Sequence, residues 1–351
     1  MSDLLHQRKD HHIDIVLGED VAGAPPALAF GRYTLEADAL PDLALDEVDL
    51  RTSLLGRSLS APLMVGAMTG GTDRTGEINR TLARAAARVG VGMALGSQRP
   101  MLVRPESAPS FDVRAAAPEL PLLVGNLGAV QLNLGVGVAD VRRLVERVGA
   151  DAINLHLNAL QEAIQPEGDT DFRGLEARIT EVATELGCPV MLKEVGAGIS
   201  ARTAARLAHL PVAGVEVAGT GGTSWAAVES FRASADRKRQ IVGQRLAGFG
   251  VPTVDGVRIA RRAFPDRVVI ASGGIRTGMD AAVALALGAD AVAFARPLLE
   301  AAVHGEDAVV EALELLLFEL RVICFCTGAR TVADLRGVRV IDVRAGWPVE
   351  A

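Results

Sequence analysis

Three groups of residues in this 351-residue sequence have the types and spacing to do chemistry. The first is Ser272-Gly273-Gly274-Ile275-Arg276, followed by a second turn at Ala295-Arg296. Paired glycines let backbone N–H groups approach an anion closely, and the next helix adds its positive end. Two such turns in succession, after the last two strands of a parallel barrel, are where that fold usually holds a phosphate. The second group is Lys193, which ends the apolar run Pro189 to Leu192. A lysine there can form a Schiff base, pair with an anionic ligand, or sit at the surface paired with Glu194. The third is His156-x-Asn158-x-x-Gln161-Glu162. It has no second histidine or cysteine at zinc spacing. One carboxylate, Glu162, beside amides suits magnesium shared with a phosphate; His156 is equally compatible with a satisfied core position. Neither a Gly-x-Ser-x-Gly elbow nor a Ser/His/Asp arrangement stands out.

Residues so far apart in sequence need a scaffold that brings strand ends together. From Ala61 onward an apolar rhythm supplies one. Strands are expected over Pro62 to Gly66, Val91 to Leu95, Pro121 to Gly125, Ala152 to Leu155, Pro189 to Leu192, Ala213 to Val217, Val268 to Ala271 and Ala289 to Phe294. Most are followed by a helical pattern, such as Glu77 to Val89, Val138 to Val148 (with Gly149 at its end), Phe172 to Leu186, Ser200 to Leu207 and Met279 to Leu287. Alternating βα units imply a parallel sheet. Eight of them without a dinucleotide fingerprint imply an α/β fold, a closed (β/α)8 TIM barrel, rather than an open sheet. The glycines of Gly219 to Gly222 lack a helix at the spacing a nucleotide loop requires. Thr69, Ser97, Asn126, His156, Lys193 and Thr223 then fall on the catalytic rim, where function in this fold collects.

Two segments break the rhythm. Residues 1–60 read as an N-terminal extension to a single barrel domain, 61–351. Arg8-Lys9-Asp10-His11-His12 forms a charged head on the apolar tail Ile13 to Leu17, Gly23 to Pro26 a loop, and Glu47 to Leu50 a short strand. Alone, such a head is usually a solvated chain end. Ser224 to Thr253 is a long insertion after strand six, with Trp225 and a basic cluster of Arg232, Arg237, Lys238, Arg239 and Arg245. Insertions of this kind are often lids; the cluster itself reads as a solvated face or an oligomer contact.

A formal net charge of −7 argues against generic nucleic-acid binding. Apolar runs are interrupted well short of a membrane span, and no apolar targeting segment is visible. Cys188, Cys324 and Cys326 give no disulfide framework and fit a reducing cytoplasm.

Several motifs coincide in order: Arg8-Lys9-x-x-His12, Ala67-Met68-Thr69-Gly70-Gly71, Gly96-Ser97-Gln98-Arg99, His156-Leu157-Asn158-x-x-Gln161-Glu162, Lys193-Glu194-Val195-Gly196, Gly219 to Trp225 and Ser272 to Arg276. Together they strongly resemble the type 2 isopentenyl diphosphate isomerases, across roughly residues 6 to 300. Gly-Gly-Ile-Arg is shared with many FMN barrels; the Gln-Glu segment and the Ser-Gln-Arg turn are more specific. The resemblance implies interconversion of isopentenyl and dimethylallyl diphosphate in isoprenoid precursor biosynthesis, on reduced FMN, with NADPH as flavin reductant and Mg2+. It implies that Ala67, Met68, Thr69, Ser97, Asn126, Lys193 and Thr223 hold the flavin ring and ribityl chain. Gly273, Gly274, Arg276, Ala295 and Arg296 would hold its phosphate. Arg8, Lys9, Ser97, Gln98, Arg99, His156 and Asn158 would meet the substrate diphosphate or line its pocket, with Gln161 touching substrate and Glu162 binding the metal. It also implies a cytoplasmic homotetramer or homooctamer. No rim carboxylate is an obvious proton donor to an alkene carbon, so we expect flavin N5 to carry the proton with Gln161 positioning, and Trp225 either to face the cationic state or to pack as lid. The competing readings are an FMN oxidoreductase on the same barrel, which lacks its histidine base after strand six or its rim cysteine here, and a flavin- or phosphate-binding module without catalysis.

Overall fold

Side chains alternate across a strand, so each barrel strand must send every second residue inward and the others toward the helices. The computed structural model, which describes residues 2–23, 30–233 and 236–345, follows that rule closely. Eight parallel strands close a barrel: β1 Leu63–Val65, β2 Gly92–Ala94, β3 Leu123–Gly128, β4 Ala152–Leu157, β5 Val190–Glu194, β6 Gly214–Glu216, β7 Val268–Ser272 and β8 Ala291–Phe294. Met64, Ala94, Val124, Ala152, Met191, Ile270, Ala291 and Ala293 form an inner core cluster, distinct from the larger one between strands and helices. A hairpin, Thr52–Leu54 with Arg57–Leu59, plugs the N-terminal end of the barrel by adding Leu54 and Leu59 to the inner cluster.

The strands lie within a few residues of their expected bounds, and the helices follow their local signals. Thr72 caps Asp73–Val89, its side chain accepting from the Thr75 N–H, and Thr277 caps Gly278–Ala286 through the Asp280 N–H. Both cysteines expected in an apolar helix lie on Glu306–Cys326, Cys324 buried and Cys326 half-buried.

The N-terminal extension departs from expectation. Ser2–Gly18 is a 17-residue helix. Positions 8, 9, 12, 13 and 16 share one face at helical spacing, and all five are buried. Its outer side is tethered by Arg74–Asp14 (2.7 Å) and Thr72–Asp10 (2.8 Å). The arm lies on its own barrel: Ser224 N donates to Val21 O at 2.8 Å and Gly23 N to Gly222 O at 3.0 Å. The expected 47–50 strand is instead the short 3-10 turn Leu45–Glu47 and a lone bridge between Asp49 and Thr331. Tyr33–Leu35 pairs antiparallel with Val340–Asp342, joining the extension to the chain's far end. Part of the expected Gly23 to Pro26 loop lies outside the described residues.

The insertion folds as two helices, Trp225–Arg232 and Arg237–Arg245, because Ser224 and Asp236 cap them. Its basic cluster divides: Arg237, Lys238 and Arg245 are exposed, whereas Arg232 turns into an ion-pair network described below. Among the described residues, no helix is long and apolar enough to cross a membrane.

Candidate active site

The C-terminal ends of the strands surround one cavity of about 520 Å³, within the range of small-molecule sites. It brings together Arg8 and Lys9 from the arm, Ala67 and Met68 after β1, Ser97 and Arg99 after β2, Asn126, His156, Asn158, Gln161 and Glu162, Lys193 and Thr223, and Gly273, Gly274, Arg276, Ala295 and Arg296. Two residues singled out from sequence do not line it. Thr69 is buried with its Oγ1 unpartnered. Gln98 is fully buried, accepting from Asn126 N at 2.9 Å and donating to Leu144 O at 3.1 Å. It therefore shapes the end of β3, and the substrate contact expected of it is corrected to a supporting one.

Strand parity explains the cavity floor. Because Met191 and Ile270 point inward, Lys193 and Ser272 must as well. Lys193 Nζ donates to Glu216 Oε1 at 2.6 Å and to Glu194 O at 3.0 Å. The Glu194 carboxylate is not its partner; Oε2 accepts the backbone N–H groups of Val195, Gly196, Ala197 and Gly198. An ion-paired lysine suits charge pairing with a ligand better than Schiff-base chemistry, which needs a free amine. His156 Nδ1 lies 2.9 Å from Asn126 Oδ1, whose own amide donates to Leu95 O. That network assigns the proton to Nδ1. Burial first, then Lys193, pushes His156 down to about 3, so it is neutral.

At the far side the turn after β7 has Gly273 at φ 95° and Gly274 at φ 76°. A Cβ on Gly273 would lie 2.3 Å from Gly219 O, and one on Gly274 2.5 Å from Gly221 C. Only glycine fits both the conformation and the space. Thr253 Oγ1 pins the turn through Gly273 O at 2.6 Å, and Arg276 reaches Gly221 O at 3.2 Å. Thr223 faces the cavity while Ser224 caps its helix.

On the arm side, Glu229 is fully buried yet holds three polar partners. His12 Nε2 and Gln161 Nε2 lie 3.1 and 3.0 Å from its Oε1, and Arg232 pairs with Oε2. Burial alone would raise this carboxyl; the hydrogen bond from His12, the Arg232 guanidinium and the Gln161 amide outweigh it and hold it below the usual carboxylate range. His12 is pushed by burial down to about 4, so a neutral ring donates to an anionic Glu229. The Trp225 ring stands edge-on to His12, centroids 5.0 Å apart. Arg8 and Arg232 both meet Glu167 (3.4 and 2.8 Å), and Arg99 meets Asp169 at 2.8 Å. Burial, then Arg8, lowers Lys9 to about 7. Glu162 accepts from Asn158 Nδ2 and Asp169 N, each at 2.7 Å, while burial raises its carboxyl. Among the described residues no three His, Cys, Asp or Glu side chains form a metal cluster.

Sequence reasoning missed Glu216 and Glu229, and gave His12 no role of its own. Glu216 shares the inward parity of Lys193's neighbours, and His12 shares the helical face of Arg8; both signals were readable. Glu229, inside an insertion, gains meaning only from what folds against it.

The profile of a family described as FMN-dependent dehydrogenase matches residues 138–341. Proteins named isopentenyl-diphosphate delta-isomerase are similar over most of their length. That of Stutzerimonas stutzeri is 47% identical over 342 residues, covering 97% of this chain and 98% of that one. That of Synechococcus sp. is 49% identical over 332 residues, 95% of each; that of Deinococcus radiodurans is 51% identical over 299, covering 85% and 87%. Among solved structures, mandelate oxidase with (S)-2-phenylpropionate superposes with TM-score 0.65 at 21% identity, covering 97% of this chain and 98% of that one. A lactate oxidase of Pediococcus acidilactici gives 0.65 at 19%, covering 90% and 85%. At such identities these two bear on the fold alone.

Proposed function

This chain belongs to the FMN-dependent dehydrogenase family and to the isopentenyl-diphosphate delta-isomerases, and from there we propose that it shifts the double bond between isopentenyl and dimethylallyl diphosphate on reduced FMN. The observation that carries this reading is the presence of two anion-binding corners on one cavity: the glycine turn with Arg276 and Arg296, and the clamp of Arg8, Lys9 and Arg99. One corner suits a cofactor phosphate and the other a diphosphate.

The residues present fit FMN. Gly273 and Gly274 leave no side chain between the turn's backbone and the cavity, and Lys193 has three N–H donors with two engaged by protein. Ala67, Met68, Ser97, Asn126 and Thr223 would flank the ring and ribityl chain. When bound and reduced, the flavin supplies electron density and ring nitrogens able to exchange a proton.

The chain's own work is positioning. Arg8, Lys9 and Arg99 bind the diphosphate, Arg8 and Arg99 exchanging Glu167 and Asp169 for its oxygens. Neutral His156 presents a lone pair on Nε2, so it favours a protonated phosphate oxygen or another donor. Glu162 is a lone carboxylate, and Mg2+ would reach it together with phosphate oxygens. Glu229 and Asn158 fix the Gln161 amide at both ends (3.0 and 3.3 Å) on the cavity wall, where it would position the substrate. Glu229, ionised between Arg232, His12 and Gln161, carries no proton to give an alkene, which supports a cofactor-borne proton. Trp225 offers its ring to the developing cation. NADPH as reductant and a cytoplasmic tetramer or octamer belong to the same reading; Leu315 and Phe318, each 58% exposed on one helix, support a contact between copies.

The test is anaerobic. Purified protein is loaded with FMN and assayed with isopentenyl diphosphate and Mg2+, oxidised and then reduced by NADPH or dithionite. Turnover in the reduced state alone is expected. Failure to bind FMN at saturation, or equal turnover when oxidised, overturns the reading.

A further inference from the structure

We infer that Glu216 is a positioning residue that holds the Lys193 ammonium on the cavity floor and thereby sets the charge a bound flavin meets. The inference rests on the FMN reading above and assigns a duty to a carboxylate that the resemblance gave none.

Glu216 is 2% exposed and lies deep in the barrel at the end of β6, between Lys193 and Ile270 in the strand register. Its Oε1 takes two donors, Lys193 Nζ at 2.6 Å and Ser272 Oγ at 2.7 Å. Its Oε2 lies 3.3 Å from Asn154 Nδ2. Four strands, β4 to β7, thus converge on one carboxylate. Both oxygens are committed to protein donors, so Glu216 itself has little to offer a ligand. Its partner differs. Lys193 directs two of its three hydrogens to Glu216 and Glu194 O, which leaves one toward the cavity.

A buried ammonium and carboxylate in contact present a dipole, not a unit charge, to anything above them. The paired floor therefore stabilises a reduced, negatively charged flavin less than a free ammonium would. The carboxylate also keeps the ammonium from following the ligand. Removing the carboxyl charge should release Lys193 toward the cofactor and favour reduced over oxidised flavin. Charge close to the ring is one of the ways a protein tunes this cofactor.

The test uses the FMN-loaded protein and reads a potential. In Glu216→Gln the ratio of reduced-to-oxidised flavin affinity should rise at least about tenfold, read as an increase of about 30 mV in the two-electron midpoint. The absorbance of the reduced flavin should also keep its anionic form to lower pH. In a Lys193→Met background, adding Glu216→Gln should move the midpoint by less than half as much, because no ammonium is left to release. Should Glu216→Gln fold poorly, Glu216→Asp, which withdraws the carboxylate by one methylene, should shift the midpoint in the same direction and less far. An unchanged midpoint with FMN bound stoichiometrically overturns the inference. So does an equal shift with and without Lys193, which is the signature of carboxyl charge acting alone. If the parent chain does not bind FMN, it is the functional reading that has failed, and the two failures are distinguished by that first titration.

Discussion

At the ends of β6 to β8 the anion corner is built on main chain, with Arg276 and Arg296 beside it. Gly222, Gly273 and Gly274 pack so tightly that an added Cβ would meet backbone within 2.6 Å at each. Across the cavity, the arm's corner is side chain throughout: Arg8, Arg99 and Arg232 are held by Glu167, Asp169 and Glu229, with Lys9 buried beside Arg8. A backbone cradle is complete before its ligand arrives and cannot easily change. A clamp of long side chains already paired with carboxylates must exchange partners on binding, so its strength depends on charge state and salt. The comparison suggests a resident cofactor at the first corner and a turning-over substrate at the second.

Substitutions can break or sharpen that contrast. The largest effect is expected at Gln161→Ala, which removes the amide that Glu229 and Asn158 orient. Turnover should be lost in a steady-state assay while FMN still binds and is still reduced; native-rate isomerisation would remove Gln161 from the reaction. Next is Gly273→Ala. A methyl 2.3 Å from Gly219 O, at φ 95°, forces the turn open. Strain of about 1–3 kcal/mol is expected, and fluorescence titration should show FMN affinity falling on the order of 100-fold, as its preformed donors move apart. Unaltered affinity would mean that the cradle lies elsewhere.

Arg8→Ala should act on the other corner. Hydrogen bonds to charged groups are worth about 1.5–3 kcal/mol, and part is offset because Glu167 no longer has to be released, so KM for the diphosphate should rise about tenfold. FMN affinity should stay constant; a parallel loss of flavin would dissolve the division between corners.

The smallest effect is a pH dependence. Burial beside Arg8 lowers Lys9 to about 7, below its unfolded value. The empty protein therefore binds fewer protons than its unfolded chain above that point, and this group's contribution to stability rises with pH between the two values. Anion binding needs the charged form, so it takes up a proton. Pyrophosphate affinity should be flat below pH 7 and fall about fivefold between pH 7 and 8. Calorimetry in buffers of different ionisation enthalpy would register the uptake; identical heats would assign the site no such proton.

Much of this was legible before folding. The barrel strands announced themselves because parallel strands buried on both faces are continuous apolar runs, and a lysine at the end of one has to turn inward or outward by parity. The cradle was legible for a similar reason: glycine pairs leave their signature in composition. The arm was harder. Arg8, Lys9 and His12 look like a solvated head until the helical face they share with Ile13 and Val16 is noticed. Glu229 and Gln98 were beyond local reading. One is a carboxylate made into an anchor by Arg232 on its own helix and by two neighbours distant in sequence, and the other a polar member of a specific motif that serves the backbone behind it.

The stitch between arm and barrel has a further consequence. Ala22 bridges Thr223, and Val21 O receives Ser224 N, through atoms common to nearly all amino acids. The hydrogen bonds of such a seam do not themselves depend on side-chain identity, although Val21 is buried and Ser224 also caps its helix. The arm's berth and its chemistry are thereby decoupled: residues along the helix can be exchanged to suit a different guest while the strap stays moored to the same edge of the bowl.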